Sequence, residues 1–258
     1  GQNIFNSSTA SLLKQLYYQA LPAFDNQEFL KESKRRTAKQ NAIKNLERYK
    51  ELPMILQKKI MYISSNQIFL RMKAEDILDI AIKAKDVDSY IYKIINEAQL
   101  TIRIIRKQPL NLGYLLGKLE FLNIDSMNIY KLYDNKKAFE ISFSEKIDPE
   151  DIYLIEEIIK DSFDMTKRTN LITPIIKKED IKIDCNHTSY LASMHIVTKD
   201  QKGLIAYIAK IFDDFNVEIE SAKLYTLKGI ARDLLLIEKD GNFCSKREEI
   251  VNLICSKG

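Results

Sequence analysis

The chain has 258 residues, of which 45% are hydrophobic and 29% charged, values close to globular averages that exclude a disordered or fibrous protein. Gly (7) and Pro (5) fall well below the roughly 18 and 13 that average usage would give, so helices should dominate and flexible linkers be few. A net charge of +4 is mildly basic, short of the clustered excess of a nucleic-acid binder, and no apolar run approaches the ~18 residues of a membrane span.

From residue 8 to about residue 97 the apolar residues recur at helical spacing. Leu12, Leu13, Leu16, Tyr17 and Ala20 form one stripe, with Ser7, Ser8 or Thr9 as N-cap and Pro22 as the stop. A longer helix is predicted over 26–49, ending near Pro53, and shorter ones over 52–62, 74–85 and 88–97. The last carries Ile91, Ile94 and Ile95, an i, i+3, i+4 set. Basic residues crowd 31–59, including Lys34, Arg35, Arg36, Lys39, Lys44 and Arg48, with few aromatics among them. That composition reads as a solvated helix face rather than a phosphate-binding surface.

The pattern changes at Leu100. Residues 100–106 alternate β-branched apolar with polar side chains, as in a half-buried strand. A helix follows over 110–122, then strands over 128–133 and 138–143 joined by an Asp134-Asn135 turn. Pro149 fits the first helical position after an Asp148 N-cap. The same order then repeats. Strands are predicted over 181–184 and 190–198, a helix over 203–215, strands over 218–226 and 231–238, and a last helix capped by Ser245. Two βαββα units of roughly 70 residues imply an α+β fold with helices on one face of each antiparallel sheet. The chain divides into a helical region at 1–98, a first unit at 99–178 and a second at 179–258. Too few residues follow the last helix to return across its sheet, so the strand near Ile181–Asp184 is expected to occupy a sheet edge.

Cys185, Cys244 and Cys255 are odd in number and form no C-x-x-C pair, which fits a reducing cytoplasm. No signal peptide opens the sequence, which begins at Gly1 as a processed or excised chain would. His187 and His195 lie in no metal-ligand spacing, so neither a metal nor another cofactor is expected in this chain. Asp86-Val-Asp88 lies between predicted helices and reads as a solvated turn.

The sharpest motif is Asp200-Gln-Lys-Gly-Leu204, between strand and helix of the second unit. Glycine at such a bend lets backbone approach a ligand, and the following helix offers unpaired N–H groups to a carboxylate. Local sequence alone fits an ordinary tight turn with Asp200 capping the helix at least as well. As a ligand site it would comprise Asp200, Gly203 and Leu204, faced by Asn216 and Ile219 on the next strand. Gly203 and Leu204 N–H groups would take an α-carboxylate and Asp200 an α-ammonium.

This segment resembles the D-R-P-G-L of ACT domains, βαββαβ modules that bind amino acids, with Gln201 and Lys202 replacing Arg and Pro. Ile219-Glu-Ser-Ala-Lys-Leu-Tyr-Thr226 with Gly229-Ile-Ala-Arg-Asp233 resembles the last ACT domain of protein-PII uridylyltransferases. Ile183-Asp184-Cys-Asn186, Phe69-Leu-Arg through Ile77, and residues 8–21 resemble further segments of that family, in the family's order. The resemblance implies two ferredoxin-like ACT domains, the first degenerate at 106–113 and serving as a packing partner. It implies glutamine as ligand, PII as a partner through the parent enzyme, ACT pairing as a route to a homo-oligomer, and a role in nitrogen regulation. The parent enzyme would use Mg2+ and UTP. This chain holds neither the G-S plus D-x-D nor the His-Asp motifs of those reactions. A non-enzymatic ACT module that binds an amino acid or a partner is the alternative.

Overall fold

The structure, a computed structural model, describes residues 32–188, 191–239 and 241–255. The helix expected over residues 12–20 lies outside them. The described residues divide into two compact units, one within 32–61 with 66–79 and one within 62–65 with 80–255.

The first unit is helical. Its helices are α1 (32–44), α2 (Glu47–Lys50), α3 (Met54–Met61), α4 (Asn66–Arg71) and α5 (Ala74–Ala84), the last turn of which counts with the second unit. The single helix expected over 26–49 breaks at residues 45–46 before α2. Ile43, Tyr49, Leu56, Ile60, Ile68 and Phe69 form the buried side of this unit. Part of the basic stretch is structural rather than solvated. Arg36 bonds Asn66 and lies over the Phe69 ring, and the Lys39 ammonium donates to the Met72 carbonyl at 2.7 Å.

The second unit holds two modules of one design, so the chain is α+β with two antiparallel sheets. The first module comprises β1 (Tyr90–Asn96), β2 (Leu100–Arg106), α6 (Leu112–Lys118), β3 (Ile124–Lys131), β4 (Lys137–Phe143) and α7 (Ile152–Asp161). Its strands order as β1-β2-β4-β3. The second comprises β5 (Ile181–Asp184), β6 (Leu191–Lys199), α8 (Leu204–Asp214), β7 (Ile219–Lys223), β8 (Thr226–Leu227), β9 (Ile230–Glu238) and α9 (Arg247–Ile254). Its order, β5-β6-β9-β7, is the same, with β8 a short extension beside β9. β5 does lie at the sheet edge, paired with β6.

The helix expected over 88–97 is instead β1, so the first sheet begins inside the stretch assigned to the helical region. Ile91, Ile94 and Ile95 satisfy a helical period, but Tyr and Ile supply five of the seven residues, and β2 returns after three residues to pair with all of it. β1 therefore plays in the first module the part that β5 plays in the second. The turns follow the expected chemistry. Asp134 and Asn135 both have positive φ (53° and 59°), as do Lys228 and Gly229 (53° and 74°), the pattern of tight hairpins. Asp148 takes the N-cap position with Pro149 in the first turn, as expected, although its side chain makes no capping bond, whereas Ser245 does not cap the last helix. Ser245 donates to the Asn242 carbonyl, and Lys246 takes the N-cap position of α9.

Each module packs two helices on one sheet face. Leu115, Leu119, Ile155 and Ile159 meet Ile102, Ile104, Met127 and Ile141 in the first, and Ile208, Phe212, Ile250 and Ile254 meet Met194, Ile196, Leu235 and Ile237 in the second. Each such side chain contributes about 1.5–3 kcal/mol on burial. The modules join side by side, with β3 along β7 and α6 along α8. A polar seam crosses the strand side. Lys137, with a 7% exposed side chain, bonds Glu218 and sits 3.5 Å from Glu238, while Lys131 reaches Glu238 at 3.2 Å.

The last turn of α5 also belongs to this unit, because the Tyr133 hydroxyl and Lys136 ammonium donate to the Ala81 and Ala84 carbonyls. Independence of the βαββα pair thus requires a cut upstream of β1. A fragment of residues 80–258 is expected to melt cooperatively by circular dichroism. A fragment of 100–258, lacking β1 and the stacked Tyr90–Phe163 pair, is expected to lose stability or fold incompletely.

Candidate functional site

The bend after β6 is fixed from three sides. The Asp200 N–H donates to the Gly229 carbonyl at 2.9 Å, tying it to the β8–β9 turn. The Gln201 side-chain amide bonds the Ile175 backbone in both directions, accepting from its N–H at 2.8 Å and donating to its carbonyl at 2.9 Å. Gly203 then serves as the N-cap of α8 with φ +75°, and no side chain caps that helix, Asp200 included.

A cleft of about 490 Å3 opens at this end of α8. The second module lines it with Asp200 through Ala206, Leu224 through Thr226, Ala231 and Asp233. The first module closes the other wall with Leu116, Glu120, residues 122–125 and Ser144. A cleft of this size suits a small metabolite rather than a macromolecule. Ile205 and Ala206 lie in the first turn of α8, where N–H groups have no carbonyl of their own helix to bond. The Leu204 N–H already bonds the Gln201 carbonyl at 3.3 Å, so the donors for a carboxylate shift from Gly203 and Leu204 to Ile205 and Ala206.

The lining is anionic. Glu120, Asp125, Asp200 and Asp233 face a single lysine, Lys202. Asp233 is 5% exposed, and burial, reinforced by the nearby Asp200 charge, pushes its carboxyl up to about 7, against the lowering effect of the Tyr225 backbone N–H. Glu120 lies beside the bend, with its Oε2 about 3.4 Å from where a Cβ on Gly203 would sit.

Of the residues expected at the site, Asp200, Gly203 and Leu204 do line the cleft. Asn216 and Ile219 do not. β9 lies between β7 and β6, and both pairings are antiparallel, so β7 runs in the same direction as β6. Ile219 pairs with Ile237, which faces Ala192 at the start of β6, whereas the bend follows the other end, where Thr198 pairs with Ala231. It is the segment that follows β7, Leu224 and Tyr225 with Thr226 of β8, that reaches the cleft. Glu120 and Asp233 were missed. Asp233 stood in a recognised segment, but Glu120 lies eighty residues before the motif, and nothing in the local pattern marks it.

The pair has a second end. α6 and α8 run antiparallel, and at the start of α6 a smaller cleft of about 120 Å3 lies beside Asn111, Gly113, Tyr114 and Asp213. The chain fills this end itself. The Gly113 N–H donates to Asp213 Oδ2 at 2.9 Å, and Asn111 both caps α6 through the Tyr114 N–H and donates to the Lys167 carbonyl at 3.1 Å.

Cys185, after β5, and Cys244, before α9, form a disulfide with Cα atoms 6.0 Å apart, which leaves Cys255 as a free thiol. On sequence alone the odd count and the lack of a C-x-x-C pair fit a reducing cytoplasm, whereas this bridge joins cysteines 59 residues apart. Among the described residues no three His, Cys, Asp or Glu side chains converge as metal ligands would, and no helix is long and apolar enough to cross a membrane.

Gly203 has a positive φ, so a Gly203→Val variant does not isolate ligand blocking from backbone strain as a residue with negative φ would. It is expected to lose about 1–2 kcal/mol of stability from the left-handed conformation alone, read as a drop in melting temperature without ligand.

Compared with known proteins, the chain matches no family model, no curated protein and no solved structure.

Proposed function

We propose that this chain is the amino-acid-sensing region of a protein-PII uridylyltransferase/uridylyl-removing enzyme, built from two ACT modules, and that the cleft at the start of α8 takes glutamine. The observation that carries the reading is the cleft itself. It forms at the Asp200–Leu204 bend, presents the first turn of α8, and draws its two walls from different modules. A small zwitterion fits such a site, because helix N–H groups receive a carboxylate while the acidic lining receives an ammonium. A neutral side-chain amide avoids the repulsion that glutamate would meet from Asp125, Asp200 and Glu120.

Regulation follows from the two-walled construction. A ligand that touches both modules favours the arrangement in which they are closed over it, and this differential affinity is what biases an attached catalytic domain. The catalytic motifs for adding or removing UMP lie elsewhere in the parent enzyme, so this chain by itself is expected to show neither activity. Titration calorimetry of the chain with L-glutamine tests the reading. Saturable heat in the micromolar to millimolar range supports it, and no heat at millimolar ligand removes the sensing role. The gene region upstream distinguishes the parent enzyme from a free-standing ACT protein, through G-S plus D-x-D and His-Asp motifs in the former.

A further inference from the structure

Glu120 is only partly buried, but it stands out among the carboxylates that hold a shielded oxygen. Its Oε2 is shielded from solvent and has no hydrogen-bond partner among the described residues, and no cation pairs with it. Two other glutamates hold a similarly shielded oxygen, but each is compensated. Glu145 accepts the Asn123 N–H through its other oxygen, and Glu238 lies within reach of Lys131 and Lys137. A buried polar atom left without a partner calls for a specific cause, and a ligand group is one.

The two ends of the antiparallel helix pair supply the rest of the argument. At the start of α6 the chain places its own carboxylate, Asp213, on the Gly113 N–H. At the start of α8 no side chain does so, and the carboxylate that comes closest, Glu120, bonds no N–H there. The filled end shows what the open end accepts, a carboxyl oxygen on a first-turn N–H. The unpartnered Glu120 oxygen on the facing wall calls for a cation. Both demands are met by one zwitterion.

We infer that Glu120 is the receptor for the ammonium group of the amino acid in the cleft, so that the ligand is held by both modules at once. The inference rests on the amino-acid reading of the cleft and moves the ammonium contact from Asp200 to the opposite module. Asp200 is exposed, and a charge-assisted bond to an exposed carboxylate is screened by water. The shielded Glu120 oxygen is screened less. Asp125 adds negative potential, with Lys202 the one cationic side chain of the lining. The carboxylates do not converge as a metal site would, which favours an organic ammonium. A ligand bonded to Glu120 and to α8 cross-links α6 to α8, and thereby the two modules.

The test compares the full chain with Glu120→Gln and Asp200→Asn by calorimetry, using L-glutamine and its des-amino analogue 4-carbamoylbutanoate. Glu120→Gln is expected to weaken L-glutamine by about tenfold or more, the range for a charge-assisted bond, and Asp200→Asn by less. The analogue is expected to bind far more weakly than L-glutamine to the parent chain and equally to Glu120→Gln. Circular dichroism and melting of Glu120→Gln without ligand should match or exceed the parent chain, because a shielded, unpartnered charge is removed. If L-glutamine binds Glu120→Gln as it binds the parent, or the analogue binds the parent as well as L-glutamine, the inference fails and the amino-acid site stands. If the parent chain takes up no L-glutamine, thermal melts with the other nineteen amino acids decide. A stabilising one replaces glutamine in the same comparison, and none at all overturns both the site and the inference.

Discussion

Gly113→Ala is expected to destabilise the two-module unit by about 3 kcal/mol, the upper part of the range for overpacking. The reason is a close approach of backbones. A Cβ at Gly113 would stand 2.6 Å from the Lys210 Cα and 2.8 Å from the Lys210 nitrogen, and neither can rotate away. α6 and α8 would have to separate, which also lengthens the bond from the Gly113 N–H to Asp213. At about 2–4 °C per kcal/mol for a unit of this size, the melting temperature should fall by roughly 6–12 °C. Gly229→Ala is the control. Nothing lies within 4 Å of its added Cβ, so only the left-handed conformation, worth about 1–2 kcal/mol, is lost. Equal losses in the two variants would mean that the helix pair does not depend on the close approach. Lys210→Gly should not rescue Gly113→Ala, since the clash is with main chain.

The unit should grow less stable as pH rises from about 4 to 7, through two carboxyl groups. Burial pushes both Asp213 and Asp233 up to about 7. For Asp213 the Gly113 N–H opposes that rise, while Asp214 and Glu218 add to it. A carboxyl with a raised folded pKa holds a proton that the unfolded chain has already released. Between the two pKa values the folded state binds more protons, so stability falls with rising pH and levels off above the folded value. A rise of about three units corresponds to roughly 4 kcal/mol per group at most. Glu218, lowered by Lys137 and Arg106 despite its partial burial, works in the opposite sense, losing its contribution as the pH falls. Asp213→Asn and Asp233→Asn are each expected to raise stability by about 3 kcal/mol at pH 8 and to leave it nearly unchanged below pH 4. Urea unfolding of the three proteins at pH 4, 6 and 8 measures the slopes. Parallel slopes in parent and variants would show that neither carboxyl carries its proton to neutral pH. Asp233 also lines the cleft, so its variant reports on the charge of the ligand site as well as on stability.

What local sequence determined is the set of features carried by neighbouring residues. Alternation of β-branched apolar with polar residues marked β2, because a strand with one buried face repeats every two residues. Asp134-Asn135 marked a hairpin, because its positive φ values are tolerated by few residue types. The Asp200–Leu204 bend was legible for the same reason, since Gly203 is the residue that accepts φ +75° at little cost. Tertiary structure decided everything that depends on which strand lies beside which. Residues 90–96 fit both a helical and a strand period, and only pairing with β2 settles them as β1. Asn216 and Ile219 were placed at the cleft on the premise that β7 adjoins β6. The insertion of β9 between them sends the start of β7 to the far end of the sheet. Glu120 reaches the cleft, and Cys185 reaches Cys244, across 83 and 59 residues by the packing of one element on another. Those contacts follow from sheet order and helix packing, which bury apolar faces without regard to separation along the chain, so no window of local sequence contains them.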